Sequence, residues 1–254
     1  LLTGGSFILA SCNDFLDREP LDSVTPDNFF FTENDLAAYA VKHYNFTTHE
    51  GFNAGIWKND NATDNQAATD YDKKWIPGQW KVPEAYDNPA SNDPWYFSTI
   101  REANYFLETV VPRFEKGEIE GSETNIKHYI GEMYFLRAKN YLSKLETFGD
   151  FPIIKNTLPD ESESLIQASK RAPRYKVAHF ILEDLDQAIS LLTNNISGGK
   201  NRITKNAALL LKSRAALFEA SWLTYHKGTA LVPGGPGWPG KAEDIADFNI
   251  DTEI

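Results

Sequence analysis

The sequence predicts an all-α protein, a set of amphipathic helices joined by long irregular loops. Two observations carry that prediction. Apolar residues recur at three- and four-residue spacing through successive stretches of the chain, the period of a helix with one buried face. Residues that cap helices stand at the ends of those stretches. The composition permits a sizeable core, with 254 residues, 41% apolar and 24% charged.

The first helix is expected in TENDLAAYAVKHY, with Thr32 as its N-cap and Leu36, Ala37, Ala40 and Tyr44 as its stripe. From about 46 to 92 no period is clear, and Asn, Asp, Gly and Pro are frequent. A structureless loop of that length is usually functional or disordered, and its Trp and Tyr residues argue against disorder. Asp93-Pro94 predicts the start of a second helix, a capping Asp followed by Pro at the first helical position. Its stripe is Phe97, Ile100, Asn104, Leu107 and Val111, with Pro112 near its end.

A third helix is expected from about Asn125 to Phe148, along Ile130, Tyr134, Ala138, Tyr141, Leu145 and Phe148. Gly149 stands where a left-handed residue would end it, and Pro152 follows. Residues 152–172 read as an extended acidic connector. The next helix spans about 174–194 through Val177, Ile181, Leu185, Ala188 and Leu192, and a loop follows to Gly199. Thr204 caps a last helix to about Tyr225, striped by Ala208, Leu211, Ala215, Phe218, Trp222 and Tyr225. PGGPGWPG reads as turns.

A net charge of −11 argues against nucleic acid and against electrostatic docking on anionic lipid. One cysteine excludes an internal disulfide. That cysteine, Cys12, ends Leu9-Ala10-Ser11-Cys12, which has the form of a bacterial lipobox after the apolar tail of a signal peptide. Residues 1–11 are therefore read as a signal-peptide remnant whose start is clipped. Residues 12–32 are read as a tether lipidated at Cys12, and 33–254 as the helical region.

Arg137-Ala138 and Arg214-Ala215 sit in mid-helix, each with an aromatic three residues after the Ala. This small-then-aromatic pattern resembles a tetratricopeptide repeat without its strict 34-residue period. Each arginine is expected to pair with a carboxylate such as Glu132 or Glu219. Several segments together resemble the SusD/RagB family of outer-membrane, nutrient-binding lipoproteins from Bacteroidetes. They are CNDFLDREP, TPDNFFFTENDLAAYAVKHY, IREANYFLE, GEMYFLRAKNYLSKLETFGDFPII, ILEDLDQAISLL and NRITKNAALLLKSRAALFEASWLTYHKGT.

The resemblance implies a tetratricopeptide-like helical scaffold and a second region of loops that carries much of the ligand surface. It implies a surface lid that captures oligosaccharide or another nutrient for a SusC-like TonB-dependent transporter, with the helical face against that partner. Family members are about twice this length, so the chain reads as an N-terminal portion.

Sugar recognition needs flat aromatic faces beside amides or carboxylates. IWKNDNATDNQAATDYDKKWIPGQW offers both, and Trp57, Asp64, Tyr71, Trp75 and Trp80 are the expected ligand contacts. DNATDN fails the calcium-loop pattern at Ala62 and Asn65. The histidines show no metal-ligand spacing, and neither a catalytic motif nor a cofactor site is expected. The other readings are an adaptor that binds only protein and a surface glycoside hydrolase using two carboxylates.

Overall fold

The computed structural model describes residues 29–46, 95–196 and 201–254. These residues are helical and form no strand; two isolated bridges, Thr32 with Glu120 and Phe151 with Ala172, are their only sheet-like pairings. Helix α1 spans Glu33–Lys42, α2 Ser98–Glu115, α3 Glu123–Phe148, α4 Ser162–Ala168, α5 Arg174–Leu191, α6 Lys205–His226 and α7 Ile250–Glu253.

Thr32 caps α1 as expected. Its hydroxyl accepts from the Asp35 N–H at 3.3 Å, and the Asp35 carboxylate accepts from the Thr32 N–H at 2.9 Å. The helix stops at Lys42, so Tyr44 lies beyond it, and Tyr39 joins Leu36 and Ala40 in the buried face.

Helix α2 departs from expectation at its start. It begins at Ser98, its cap position is Phe97, and no side chain caps it. Trp95 and Phe97 are drawn instead into an aromatic cluster, Trp95 edge-on to Phe148 and Phe151, Phe97 stacked on Phe151. Asp93 and Pro94 lie outside the described residues.

Helix α3 is the axis of the molecule. Its 26 residues span about 39 Å, and it packs against α1, α2 and α5. Helices α2, α3, α5 and α6 form an antiparallel series. Thr99 meets Asn140 while Lys127 reaches Phe114; Arg137 meets Asp184; Asp186 meets Lys212 while Arg174 meets Glu219. Gly131 allows α3 and α5 to touch: a Cβ there would stand 3.0 Å from Leu192 and 3.1 Å from Leu191. Helix α3 ends at Gly149, whose φ of +71° is the left-handed value expected there.

The 152–172 connector is not extended throughout, since it contains α4. Thr204 caps α6 by accepting from the Ala207 N–H. The tail after α6 is turns, a short 3₁₀ segment at Ala242–Ile245 and α7. The α6 stripe needs one correction. Ala208 and Ala215 are buried, but Tyr225 is 84% exposed. At 100° per residue Tyr225 has drifted about 100° around the helix from Ala208, and Leu223 takes its place in the core.

The mid-helix arginines differ from each other and from expectation. Arg137 is buried and pairs with Asp184, not Glu132; Arg214 is 73% exposed and 3.8 Å from Glu146, not Glu219. Five residues along a helix turn a side chain by about 140°, which puts Arg137 and Glu132, or Arg214 and Glu219, on different faces. Glu132 is instead the acceptor of a buried network. Tyr44, His128 and Arg202 all donate to it, and His128 Nδ1 accepts from the Thr193 N–H. Glu219 takes a bidentate bond from buried Arg174.

Candidate functional site

The segment that carries Trp57, Asp64, Tyr71, Trp75 and Trp80 lies outside the described residues, as does Cys12. The described chain does show where that segment leaves and returns. It leaves after Phe46, where Lys139 of α3 donates to the Asn45 carbonyl and lies over the Phe46 ring. It returns at Trp95, packed against Phe148 at the end of α3. Both ends therefore sit on the C-terminal half of α3.

Beside the return point is a cleft of about 290 Å³, lined by Trp95, Phe97, Ile100, Arg101, Pro152, Ile154, Asn156, Leu158, Leu165 and Ser169. Its first wall is the entry turn of α2. The second is the stretch 152–158, held flat across α2 and α3 by side chains that bond its backbone. The Ile154 N–H donates to the Tyr141 hydroxyl at 2.8 Å, and that hydroxyl donates back to the Ile154 carbonyl at 3.2 Å. Asn104 Nδ2 donates to the carbonyls of Ile154 and Asn156 at 2.9 and 3.2 Å. Arg137 donates to the Asn104 side-chain carbonyl and to Lys155 O. The Glu108 carboxylate accepts from the Thr157 N–H and hydroxyl. Leu165 and Ser169 from α4 complete the rim.

Electrostatics follow from burial. Desolvation pushes the Tyr141 hydroxyl up to about 12, which keeps it a donor. It also raises Asp184, against the pull of Arg137 and Lys155.

A second cleft, of about 390 Å³, lies on the other side of Phe148 and Arg171. Trp222, Trp238, Asp150 and Glu146 line it. Asp150 joins the parts: it accepts from the Arg174 N–H at 2.8 Å and from Trp238. Trp222 stacks under the Arg174 guanidinium at 4.2 Å and donates to the Leu231 carbonyl. Arg171 separates the clefts, its guanidinium 4.9 Å from the centre of the Trp95 ring.

Aromatic surface with a few fixed polar groups suits a saccharide, whose C–H faces stack while its hydroxyls exchange hydrogen bonds. Sequence reasoning set Phe97 in a helix stripe and did not place Trp95 among the expected ligand contacts. It did not find Arg101 or Asn156, which meet because the 152–158 stretch folds back over α2, or Arg171, which the Phe151–Ala172 pairing sets over Trp95. Among the described residues no group of three His, Cys, Asp or Glu side chains could hold a metal, and no helix is long and apolar enough to cross a membrane.

A family model described as SusD-like, starch-binding and associating with the outer membrane, matches residues 14–217. SusD-like protein P2 of Formosa agariphila is 25% identical over 186 residues, which are 71% of this chain and 35% of that protein. SusD-like protein P38 of the same organism is 27% identical over 191 residues, 73% of this chain and 35% of its own. This chain thus spans about a third of the length of these relatives. Among solved structures, a SusD-like protein from Bacteroides fragilis is 30% identical with a TM-score of 0.44, covering 53% of this chain and 25% of that chain. A laminarin binding SusD-like protein is 23% identical with a TM-score of 0.39, covering 54% and 28%.

Proposed function

The chain belongs to the SusD-like family, and on that premise we propose that it is a cell-surface lipoprotein that captures oligosaccharide for a SusC-like TonB-dependent transporter. The match of the family model across residues 14–217, under a description of starch binding at the outer membrane, is the observation that carries this reading.

In this reading Cys12 is acylated and residues 12–32 tether the helical region to the outer membrane. Two or three acyl chains anchor stably where a single one holds only marginally. The segment bearing Trp57, Asp64, Tyr71, Trp75 and Trp80 forms the ligand face together with the Trp95 cleft, to which it is joined directly in sequence. Capture is binding without bond cleavage. The helical face lies against the transporter, ligand is held between lid and barrel, and the partner supplies the energy for uptake.

The test is binding of soluble polysaccharides, followed by tryptophan fluorescence quenching with Trp75→Ala, Trp80→Ala and Trp95→Ala. Quenching that one of these changes removes, with no shorter product in the mixture, is expected. Release of shorter saccharides would make the protein a hydrolase. Failure of every saccharide to bind, with a barrel still recovered in a pull-down from the native membrane, would favour an adaptor.

A further inference from the structure

The capture reading leaves the chemistry of the saccharide open, and the lining of the Trp95 cleft bears on it. Among the ten residues around that cleft Arg101 is the one charged side chain, and no carboxylate is present. That is unusual in a chain with 36 acidic residues against 25 basic ones. At physiological salt, charges beyond about 8 Å are largely screened, so the lining decides the local potential more than the net charge does.

The arginines differ in how they are used. Arg137, Arg174, Arg202 and Arg214 each face a carboxylate, and Arg113 donates to the Phe29 carbonyl. Arg101 and Arg171 have no side-chain hydrogen bond or ion pair among the described residues. Both border Trp95: Arg101 lines its cleft, and Arg171 lies over its ring.

The backbone of each is held, and both residues are exposed. Arg101 is in the first turn of α2, its N–H bonded to the Phe97 carbonyl at 2.9 Å. Arg171 precedes Ala172, which is locked to Phe151 by two backbone bonds of 3.0 and 3.1 Å. Its guanidinium lies 4.9 Å from the centre of the Trp95 ring, a cation–π contact that leaves its N–H groups unused. Among the described residues two guanidinium forks therefore keep unbonded donors beside Trp95, Arg101 within its cleft and Arg171 at the border with the second cleft, and their geometry matches a carboxylate or a sulfate. Arg171 also lines the neighbouring cleft, where its charge pulls on Asp150, but the hydrogen bonds of Asp150 come from Arg174 and Trp238 and those of Glu219 from Arg174.

We propose that the Trp95 cleft selects saccharides bearing an anionic substituent, a uronate carboxylate or a sulfate ester, which Arg101 and Arg171 hold while the ring packs against Trp95 and Phe97. This rests on the capture reading and narrows its ligand.

Calorimetry with matched pairs tests it: oligogalacturonate against its carboxyl-reduced form, and sulfated dextran oligosaccharide against plain dextran, at constant ionic strength. In at least one pair the anionic member binds about tenfold more tightly, the worth of a charge-assisted bond. The pair that shows the preference identifies the substituent. Arg101→Gln and Arg171→Gln each remove most of that preference, weakening the anionic member more than the neutral one. Lys116→Gln, an exposed charge at the far end of α2, leaves it intact. Equal binding within both pairs, or a preference for the neutral member, overturns the inference and leaves capture standing. A preference that survives both arginine changes overturns its assignment to this cleft. If no member of either pair binds, the inference is overturned, and the capture reading is decided separately by the wider polysaccharide test.

Discussion

Asp184→Asn should unfold this protein more readily than any surface change, and the structure says by how much. Arg137 is 6% exposed and Asp184 3%, and the guanidinium meets the carboxylate through two bonds of 2.7 Å. The substitution keeps the shape and removes the charge, leaving a buried cation without a counter-ion. Breaking one side of such a pair costs about 3–5 kcal/mol. Arg137 retains the Asn104 and Lys155 carbonyls as acceptors, which places the cost near the lower bound, about 3 kcal/mol. For a domain of this size that lowers Tm by about 6–12 °C.

Adding Arg137→Met removes the orphaned charge. What then remains is the loss of a donor to Asn104 Oδ1 and Lys155 O, about 1–3 kcal/mol for each group left unsatisfied. The double variant should therefore be well short of the sum of the single ones, with a coupling of about 2–3 kcal/mol. Urea denaturation followed by far-ultraviolet circular dichroism measures all three, provided the m-values agree. A cost below about 1 kcal/mol for Asp184→Asn, or strict additivity in the cycle, would refute the claim that this pair is a desolvated unit.

Two further predictions follow from single residues. Gly149→Ala must hold an L-residue at φ +71° with its Cβ 3.3 Å from Arg174 Nη1; it should cost about 1–2 kcal/mol, and an unchanged urea midpoint would show that the end of α3 relaxes freely. Burial holds the His43 imidazole below its usual 6.5, against the pull of Glu102. Between the folded value and 6.5 the unfolded chain binds more protons, so stability falls as pH drops through that window. The urea midpoint should decline from pH of about 7 to 5 more steeply in the parent than in His43→Leu; equal slopes would mean that His43 titrates alike in both states.

The helices and their caps were legible because they depend on near neighbours. Thr32 and Thr204 bond N–H groups three residues away, and Gly149 needs only its own φ. The long loop was legible as a break in period, and its ligand-binding residues remain a proposal. Pairings were harder to read. The charge of Arg137 announced a carboxylate partner, but the partner is 47 residues on, in a helix that α3 reaches only after the connector reverses the chain. Tyr225 kept the spacing of its stripe and still faces outward, because spacing by threes and fours does not say which arc of a helix a neighbour covers.

The sequence by itself determined the fold class, the order of the helices and the family to which the chain belongs, since periodicity and motif order are properties of the chain alone. Tertiary packing decided which charges are spent on one another and which are left over. Arg137 and Arg174 are consumed in buried pairs, while among the described residues Arg101 and Arg171 form no side-chain hydrogen bond beside Trp95. All four are the same side chain. The difference arises because burying a charge is costly without a counter-charge, and only the packed structure determines which arginines are buried.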